Sequence, residues 1–202
     1  MSGLRRVVLA SSNACKLREM RAILAGHPVE IVSQSDLGVP PAEEDGETFV
    51  ANALIKARHA ARLTGLPAIA DDSGLEVDAL AGRPGVHSAR YAGGRAGDAA
   101  NNALLLRELE GVAGAARSAR YRCALVFVRD AADAAPVVRE ASWEGRIATA
   151  PGGGGGFGYD PLFIPAGEAR TVAELGGEAK NRVSHRGQAL RALAAAMRDV
   201  GW

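Results

Sequence analysis

The sequence predicts an α/β fold built on a mixed β-sheet, and three observations predict it. Short apolar runs bounded by polar turns, at residues 7–10 and 67–70, alternate with stretches of helical periodicity such as Leu17, Met20 and Leu24. Tyr121, Cys123, Leu125 and Phe127 alternate with Arg120 and Arg122, which reads as a strand with one buried face. Ala141, Trp143 and Ile147 alternate with Glu140, Ser142, Glu144 and Arg146, a second such strand, and residues 130–136 join the two as an antiparallel hairpin. At 202 residues the chain suffices for one core of ordinary size, so a single domain over 1–202 is the expectation.

Composition excludes several classes. No run approaches the roughly 18 apolar residues of a membrane-spanning helix. The opening Met1-Ser2-Gly3-Leu4-Arg5-Arg6 is followed only by Val7-Val8-Leu9-Ala10 before polar Ser11-Ser12-Asn13, too short an apolar stretch for a signal peptide. Cys15 and Cys123 make no disulfide framework, so a reducing cytoplasm is the expected compartment. A formal net charge of +1 without a long charge block favours neither a nucleic-acid polymer nor a membrane as partner. Of 24 basic side chains only three are lysine, Lys16, Lys56 and Lys180, the other 21 being arginine. Where lysine survives, a compact ammonium is the group to look for, as at a phosphate.

The first strand, 7–10, runs into the polar turn Ser11-Ser12-Asn13-Ala14-Cys15, where Asn13 can cap a helix that begins near Lys16 and stops at Gly26. Strand, polar loop and helix N-terminus in succession gather free backbone donors into a ready anion site. Lys16 in the first turn opposes the helix dipole, a penalty that a bound anion removes. An ordinary surface turn before an ordinary helix fits the same residues, which lack the glycine-rich phosphate-loop pattern. Residues 30–33 form a second strand and 36–42 a loop. The acidic cluster Glu43-Glu44-Asp45-Gly46-Glu47 precedes a helix over 48–64 that buries Val50, Leu54, Ala57 and Ala61. The dipole alone accounts for acids at that helix start. Asn52 and Lys56 are i, i+4 neighbours on another face, either solvated or lining a site for metal and polyphosphate.

Asp71-Asp72-Ser73-Gly74 follows the apolar run 67–70 and leads into Leu75, Val77 and Ala79 alternating with Glu76 and Asp78, so strand, turn and strand are expected here. Side chains alternate faces along a strand, which separates the two carboxylates into one structural and one facing a ligand. Magnesium takes oxygen ligands, usually one or two carboxylates plus substrate phosphates. An Asx-type turn explains the pair equally well. After a Gly- and Pro-punctuated loop over 82–94, a helix over 98–110 turns Leu105 and Leu109 inward. Residues 152–156 are five consecutive glycines, suited to flexibility or close backbone approach. Phe157-Gly158-Tyr159-Asp160-Pro161 then sets an aromatic at the loop end, either a stacking platform for a base or a side chain folded back to close a turn. A short strand over 162–165 and a short helix over 171–175 follow. Lys180 and Asn181 precede Ser184, which can cap a last helix with Leu190, Leu193 and Met197 inward. His185 and Arg186 in its first turn form, with Lys180, a second anion or base-acceptor site; a histidine there also fits a purely structural role.

The ordered set of Ser11 to Lys16, Glu43 with Asn52 and Lys56, Asp71-Asp72-Ser73-Gly74, Phe157-Gly158-Tyr159-Asp160-Pro161 and Ser184-His185-Arg186-Gly187 resembles the inosine/xanthosine triphosphate pyrophosphatases, a family that removes non-canonical purine nucleotides. The resemblance runs from Val7 to Leu193. It implies an elongated α/β fold with a mixed sheet, two lobes with a central active-site cleft, and a homodimer. It implies hydrolysis of ITP, dITP and XTP at the α–β phosphate bond to monophosphate and pyrophosphate, with magnesium. By motif, Ser11, Ser12, Asn13, Ala14, Cys15 and Lys16 would hold phosphates and Ser73 would contact substrate. Glu43 and Asp72 would bind magnesium, Asp72 would accept the proton of the attacking water, and Lys56 would neutralise phosphate charge. Phe157, Gly158, Tyr159 and Asp160 would clamp the base, and Lys180, His185 and Arg186 would read its edge. Two departures are Ser12, where the family often has glycine, and the richer glycine run at 152–156. A pyrophosphatase for modified pyrimidine or dTTP-type substrates is the nearest rival, and a non-catalytic nucleotide-binding regulator the rival of another class. The Ser-His-Arg and Phe-Gly-Tyr-Asp motifs argue against the first, and intact Asp72, Glu43 and Lys56 against the second.

Overall fold

The computed structural model describes residues 4–94 and 96–202, so the opening Met1-Ser2-Gly3 lies outside the described residues. In chain order it contains β1 (Arg5–Leu9), α1 (Ala14–Ile23), β2 (Val29–Ser33), α2 (Phe49–Thr64), β3 (Ala68–Val77), α3 (Asp98–Glu108), β4 (Ser118–Val128), β5 (Val137–Ile147), β6 (Phe163–Pro165), α4 (Gly177–Val183) and α5 (His185–Asp199). The strands form one sheet in the order β2-β1-β3-β4-β5-β6. β1 pairs parallel with β2 and β3, whereas β5 pairs antiparallel with β6, so the sheet is mixed. Among the described residues no helix is long and apolar enough to cross a membrane.

The chain forms two compact units, and it passes from one to the other within β3, β4 and β5 and at the start of α5. The first comprises the chain up to Asp72 with Cys123–Ala141 and Arg186–Trp202. Here β2 and β3 flank β1 on opposite sides, so the chain reverses its direction across the sheet at the carboxyl end of β1. In open α/β sheets that reversal point is where ligands bind. The register Leu9↔Ile69 brings the 11–16 turn and the Asp71-Asp72 pair to that end of the sheet. The core beneath is Val7, Leu9, Met20, Ile31, Ile69, Leu125, Phe127, Leu190 and Leu193, with their neighbours.

α2 buries Ala57 and Ala61 as its periodicity predicts, with its buried stripe shifted from Val50 and Leu54 toward Ala53 and Ala60. Ala53, Ala57, Ala60 and Ala61 are buried while Val50 and Leu54 are only partly so. Alanines let the helix approach the sheet closely, and Asn52 is drawn into the interior with them, fully buried.

The second unit comprises Ser73–Arg122 and Ser142–His185. Its core gathers Leu75, Val77, Leu105, Leu109, Tyr121, Ile147, Leu162, Phe163 and Val172. The glycine run is a close-approach device. A Cβ on Gly153 or Gly155 would collide with the Ala173 backbone, and Gly155 N–H donates to Ala173 O at 3.2 Å. α4, which carries Lys180, was not legible in the sequence, because Gly176-Gly177 at its start hides the helix signal.

The expected turn at Ser73-Gly74 does not form. β3 is a single strand of 10 residues running through both. Burial of Ile69 and Ala70 on one side of this pair and of Leu75 and Val77 on the other outweighs the local turn preference. The alternation that separates Asp71 from Asp72 therefore applies without interruption.

Candidate active site

In the first unit, α1 starts at Ala14 with Asn13 as its cap. Asn13 Oδ1 accepts the Cys15 N–H at 2.9 Å and the Lys16 N–H at 3.2 Å, and Ser11 Oγ accepts the Asn13 N–H at 3.1 Å. Ser12, Asn13 and Ala14 are exposed, while Ser11, Cys15 and Lys16 are half-buried. The turn thus offers the positive end of a helix with Lys16 folded beside it.

Lys16 Nζ donates to Asp71 Oδ1 at 2.5 Å, and Arg186 Nε donates to Asp71 Oδ2 at 2.6 Å. Arg186 also reaches Glu19, with Nη1 2.5 Å from Oε2. Burial alone would push the Asp71 carboxyl up, but the Arg186 guanidinium and the Lys16 ammonium outweigh it and hold it well below the usual range. Asp71 is a locked anion at the centre of a buried chain of charges.

Asp72, on the opposite face, is held by one oxygen. Oδ1 accepts from Lys56 Nζ at 2.6 Å, while Oδ2 is buried with no hydrogen-bond partner among the described residues. Lys56 Nζ also donates to Glu44 Oε2 at 3.2 Å. Burial pushes the Asp72 carboxyl up, the Lys56 and Lys16 ammoniums oppose that, and Glu44 adds to the rise; the net direction is upward. Lys56 goes the other way from what burial dictates, because Asp72, Glu44 and Asp71 together favour its charged form and raise it. The result is a carboxylate with one free lone-pair face, a permanent cation beside it, and a second carboxylate within reach of the same cation.

Glu43 is exposed and Glu44 half-buried, so the acid that the fold turns toward Lys56 and Asp72 is Glu44. The metal-ligand expectation falls on Glu43, its neighbour; an acidic run gives no sign of which member turns inward. Asn52 serves this loop, its Oδ1 accepting the Gly46 N–H at 2.8 Å. Ser73, next after Asp72, is half-buried and begins the second unit.

A divalent cation can be tested against these donors. Among the described residues no group of three or more His, Cys, Asp or Glu could hold a metal by itself. Magnesium does not need one, since it keeps several waters and completes its shell with substrate phosphates. The bare Oδ2 of Asp72 and the nearby Glu44 suit that open kind of site.

In the second unit, Lys180 Nζ lies 4.4 Å from the centre of the Phe157 ring, a cation–π contact. Asp160, buried, ties the group together. Its Oδ2 accepts from Lys180 Nζ at 2.8 Å and from the Phe157 N–H at 3.0 Å, and its Oδ1 accepts from the Tyr121 hydroxyl at 3.2 Å. The Tyr159 hydroxyl donates to Ser88 O at 2.8 Å, so this phenol is buried in the scaffold. His185 stacks on Tyr121 with ring centres 4.7 Å apart and planes 12° apart, and Trp143 lies 6.4 Å from the same imidazole. Alternation in the sequence places Tyr121 and Trp143 on strands and shows which face each takes, but not what it meets there.

Of the expected base-site residues the fold brings Phe157, Gly158, Tyr159, Asp160, Lys180 and His185 into the second unit. Arg186, although adjacent to His185 in the chain, belongs to the first.

The family model for the Ham1 family matches residues 7–196. The chain is 58% identical over 196 residues to the dITP/XTP pyrophosphatase of Methylococcus capsulatus, covering 97% of this chain and 98% of that protein. It is 51% identical to the dITP/XTP pyrophosphatase of Escherichia coli, covering 97% and 100%. The solved structure of a HAM1 protein from Coxiella burnetii superposes with a TM-score of 0.89 at 47% identity, covering 96% of this chain and 99% of that one. With a family match over nearly its whole length and relatives at these identities, this chain belongs to the Ham1 family.

Proposed function

We propose that this chain hydrolyses non-canonical purine nucleoside triphosphates, ITP, dITP and XTP, at the α–β phosphate bond, giving the nucleoside monophosphate and pyrophosphate. The observation that carries the reading is Asp72: a buried carboxylate with one oxygen on Lys56 and the other bare, directly after an aspartate whose charge is fully consumed. The relatives from Methylococcus capsulatus and Escherichia coli are dITP/XTP pyrophosphatases.

Phosphoryl transfer needs positioning and charge neutralisation more than covalent help. The 11–16 turn and Lys16 would receive phosphate oxygens, and Lys56 would sit against the reacting phosphate. Asp72 Oδ2 would accept a proton from water as the water oxygen bonds to phosphorus. The bridging P–O bond then breaks and its electron pair leaves with pyrophosphate. The upward push on Asp72 suits a base, since a carboxylate nearer the working pH is a better proton acceptor. Magnesium would be held by Asp72 with Glu44, or with Glu43 as the motif suggests, and would neutralise phosphate charge when bound.

The second unit would take the base. Phe157 offers a stacking face, and Lys180 and the His185 ring offer donors to the 6-oxo group that hypoxanthine and xanthine share. Adenine presents a donor at that position, and a site built for a hydrogen bond rejects the wrong partner strongly. The Arg186 guanidinium is engaged by Asp71 and Glu19, so we assign it to holding Asp71 and leave base reading to Lys180 and His185. A homodimer and a cytoplasmic location complete the reading; light scattering tests the first.

The test is hydrolysis of ITP in ¹⁸O-water with the products resolved by ³¹P NMR. Inosine monophosphate and pyrophosphate, with a single ¹⁸O between them, are expected. Release of the γ-phosphate as orthophosphate refutes the reading.

A further inference from the structure

We propose that Asp98 and Asn102 of α3 are positioning residues that hold the loop carrying Phe157 in its base-stacking shape; the inference rests on the reading of Phe157 and Lys180 as the base site. The two side chains lie one helical turn apart and grip a single residue at both ends. Asp98 Oδ2 accepts the Gly158 N–H at 2.6 Å, and Asn102 Nδ2 donates to Gly158 O at 3.0 Å. Gly158 has φ +62°, the left-handed region that glycine enters without penalty. As a glycine it has wide conformational choice, and it adjoins the ring that stacks.

Both side chains are used against their local interest. Asp98 opens α3, where an acid ordinarily serves the helix's own N-terminal donors; here its oxygen is aimed at another segment. Asn102 leaves its Oδ1 buried with no partner among the described residues in order to donate to Gly158. An apolar side chain would fill that space without an unmet acceptor, so the amide is there for its N–H.

The gripping helix is itself fixed. Asn101 Oδ1 accepts the Ala92 N–H at 2.8 Å and its Nδ2 donates to Ala89 O at 3.3 Å. Ser88, beside that segment, accepts the Leu75 N–H of β3 on its hydroxyl at 2.8 Å. The loop is therefore tied to the scaffold at Gly158 by α3, at Tyr159 through Ser88, and at Asp160 through Lys180 and Tyr121. The last two ties lie within the recognised motifs; the first comes from residues to which no role has been given.

The test compares Asp98→Ala, Asn102→Ala, Asp98→Asn and Asn102→Asp with the wild type. The readouts are KM and kcat for ITP, inhibition by imidodiphosphate as a probe of the phosphate end alone, and hydrogen exchange of the segment 152–161. Losing either bond is expected to raise KM about 3- to 10-fold with kcat within about twofold, and to speed exchange of the segment by a similar factor. Imidodiphosphate inhibition stays unchanged. Asp98→Asn stays near wild type because its amide oxygen still accepts, whereas Asn102→Asp is at least as impaired as alanine because a carboxylate then faces the Gly158 carbonyl. Wild-type KM in both alanine variants, or imidodiphosphate inhibition weakened in parallel with KM, overturns the proposal. So does unchanged exchange of 152–161. Faster exchange in a protein that never turns over ITP would leave the clamp standing and remove the base-site reading instead.

Discussion

Asp71→Asn removes a charge and keeps a shape, so its effect isolates the buried ion chain. The wild-type carboxylate is fully buried and bridges Arg186 Nε at 2.6 Å and Lys16 Nζ at 2.5 Å. The Arg186 side chain is 3% exposed and that of Lys16 16%, so Arg186 cannot turn to water for compensation and Lys16 can do so only in part. Removing one partner of a buried pair costs about 3–5 kcal/mol, and because Arg186 keeps Glu19 at 2.5 Å the lower end, about 3 kcal/mol, applies. At about 2–4 °C per kcal/mol for a chain of this size, Tm should fall by about 6–12 °C. A pH series gives a second signature. The folded-state pKa of Asp71 is depressed, so its contribution is complete above the ordinary value of 3.8 and is lost as pH falls through the lower folded value. Differential scanning calorimetry should therefore show the gap between wild type and variant shrinking only below that pH. A Tm within about 2 °C of wild type at pH 7, or a gap indifferent to pH, refutes the reasoning.

Asp72→Asn should lower kcat for ITP by about 10²- to 10⁴-fold with nucleotide binding by calorimetry largely intact; turnover near wild type removes Asp72 as the base. The raised pKa of Asp72 keeps its proton on to a higher pH than an ordinary aspartate, so the acid limb of kcat/KM should lie above 3.8, and a profile flat down to that value contradicts the assignment. Glu44→Gln should raise the magnesium concentration needed for half-activation while Glu43→Gln stays near wild type; the opposite order returns the ligand role to Glu43. Arg186→Ala should destabilise as Asp71→Asn does, the double variant costing clearly less than the sum, with the preference for ITP over ATP retained. A narrowed preference would mean that Arg186 reads the base after all.

Much of the fold was legible because the relevant patterns are local. Periodicity at Leu17, Met20 and Leu24, alternation at Tyr121–Phe127, and Asn13 as a cap all translate into α1, β4 and a capped helix start. What escaped depended on tertiary context. Ser73-Gly74 has turn chemistry, yet the burial of Leu75 and Val77 continues β3 through it. On α2 the expected Ala57 and Ala61 are buried, whereas Ala53 and Ala60 are covered in place of Val50 and Leu54, a choice among apolar side chains that the neighbouring segments make. The site divides in the same way. That Asp71 and Asp72 face opposite ways and meet different partners follows from strand alternation alone. That Arg186 is occupied by Asp71 and Glu19 does not, because 115 residues separate Arg186 from Asp71 in the chain. That Glu44 rather than Glu43 pairs with Lys56 was likewise invisible, being set by which way a loop enters α2.

On the proposed function, this chain cleaves 6-oxo, non-canonical purine triphosphates to pyrophosphate with help from a divalent cation. The most direct measurement is pyrophosphate against orthophosphate release from ITP, XTP, GTP, ATP and dTTP, each with and without magnesium. Metal-dependent pyrophosphate from ITP and XTP, with little from the other three, is the result expected. Orthophosphate as the product, equal turnover of ATP, or tight nucleotide binding without turnover would contradict it.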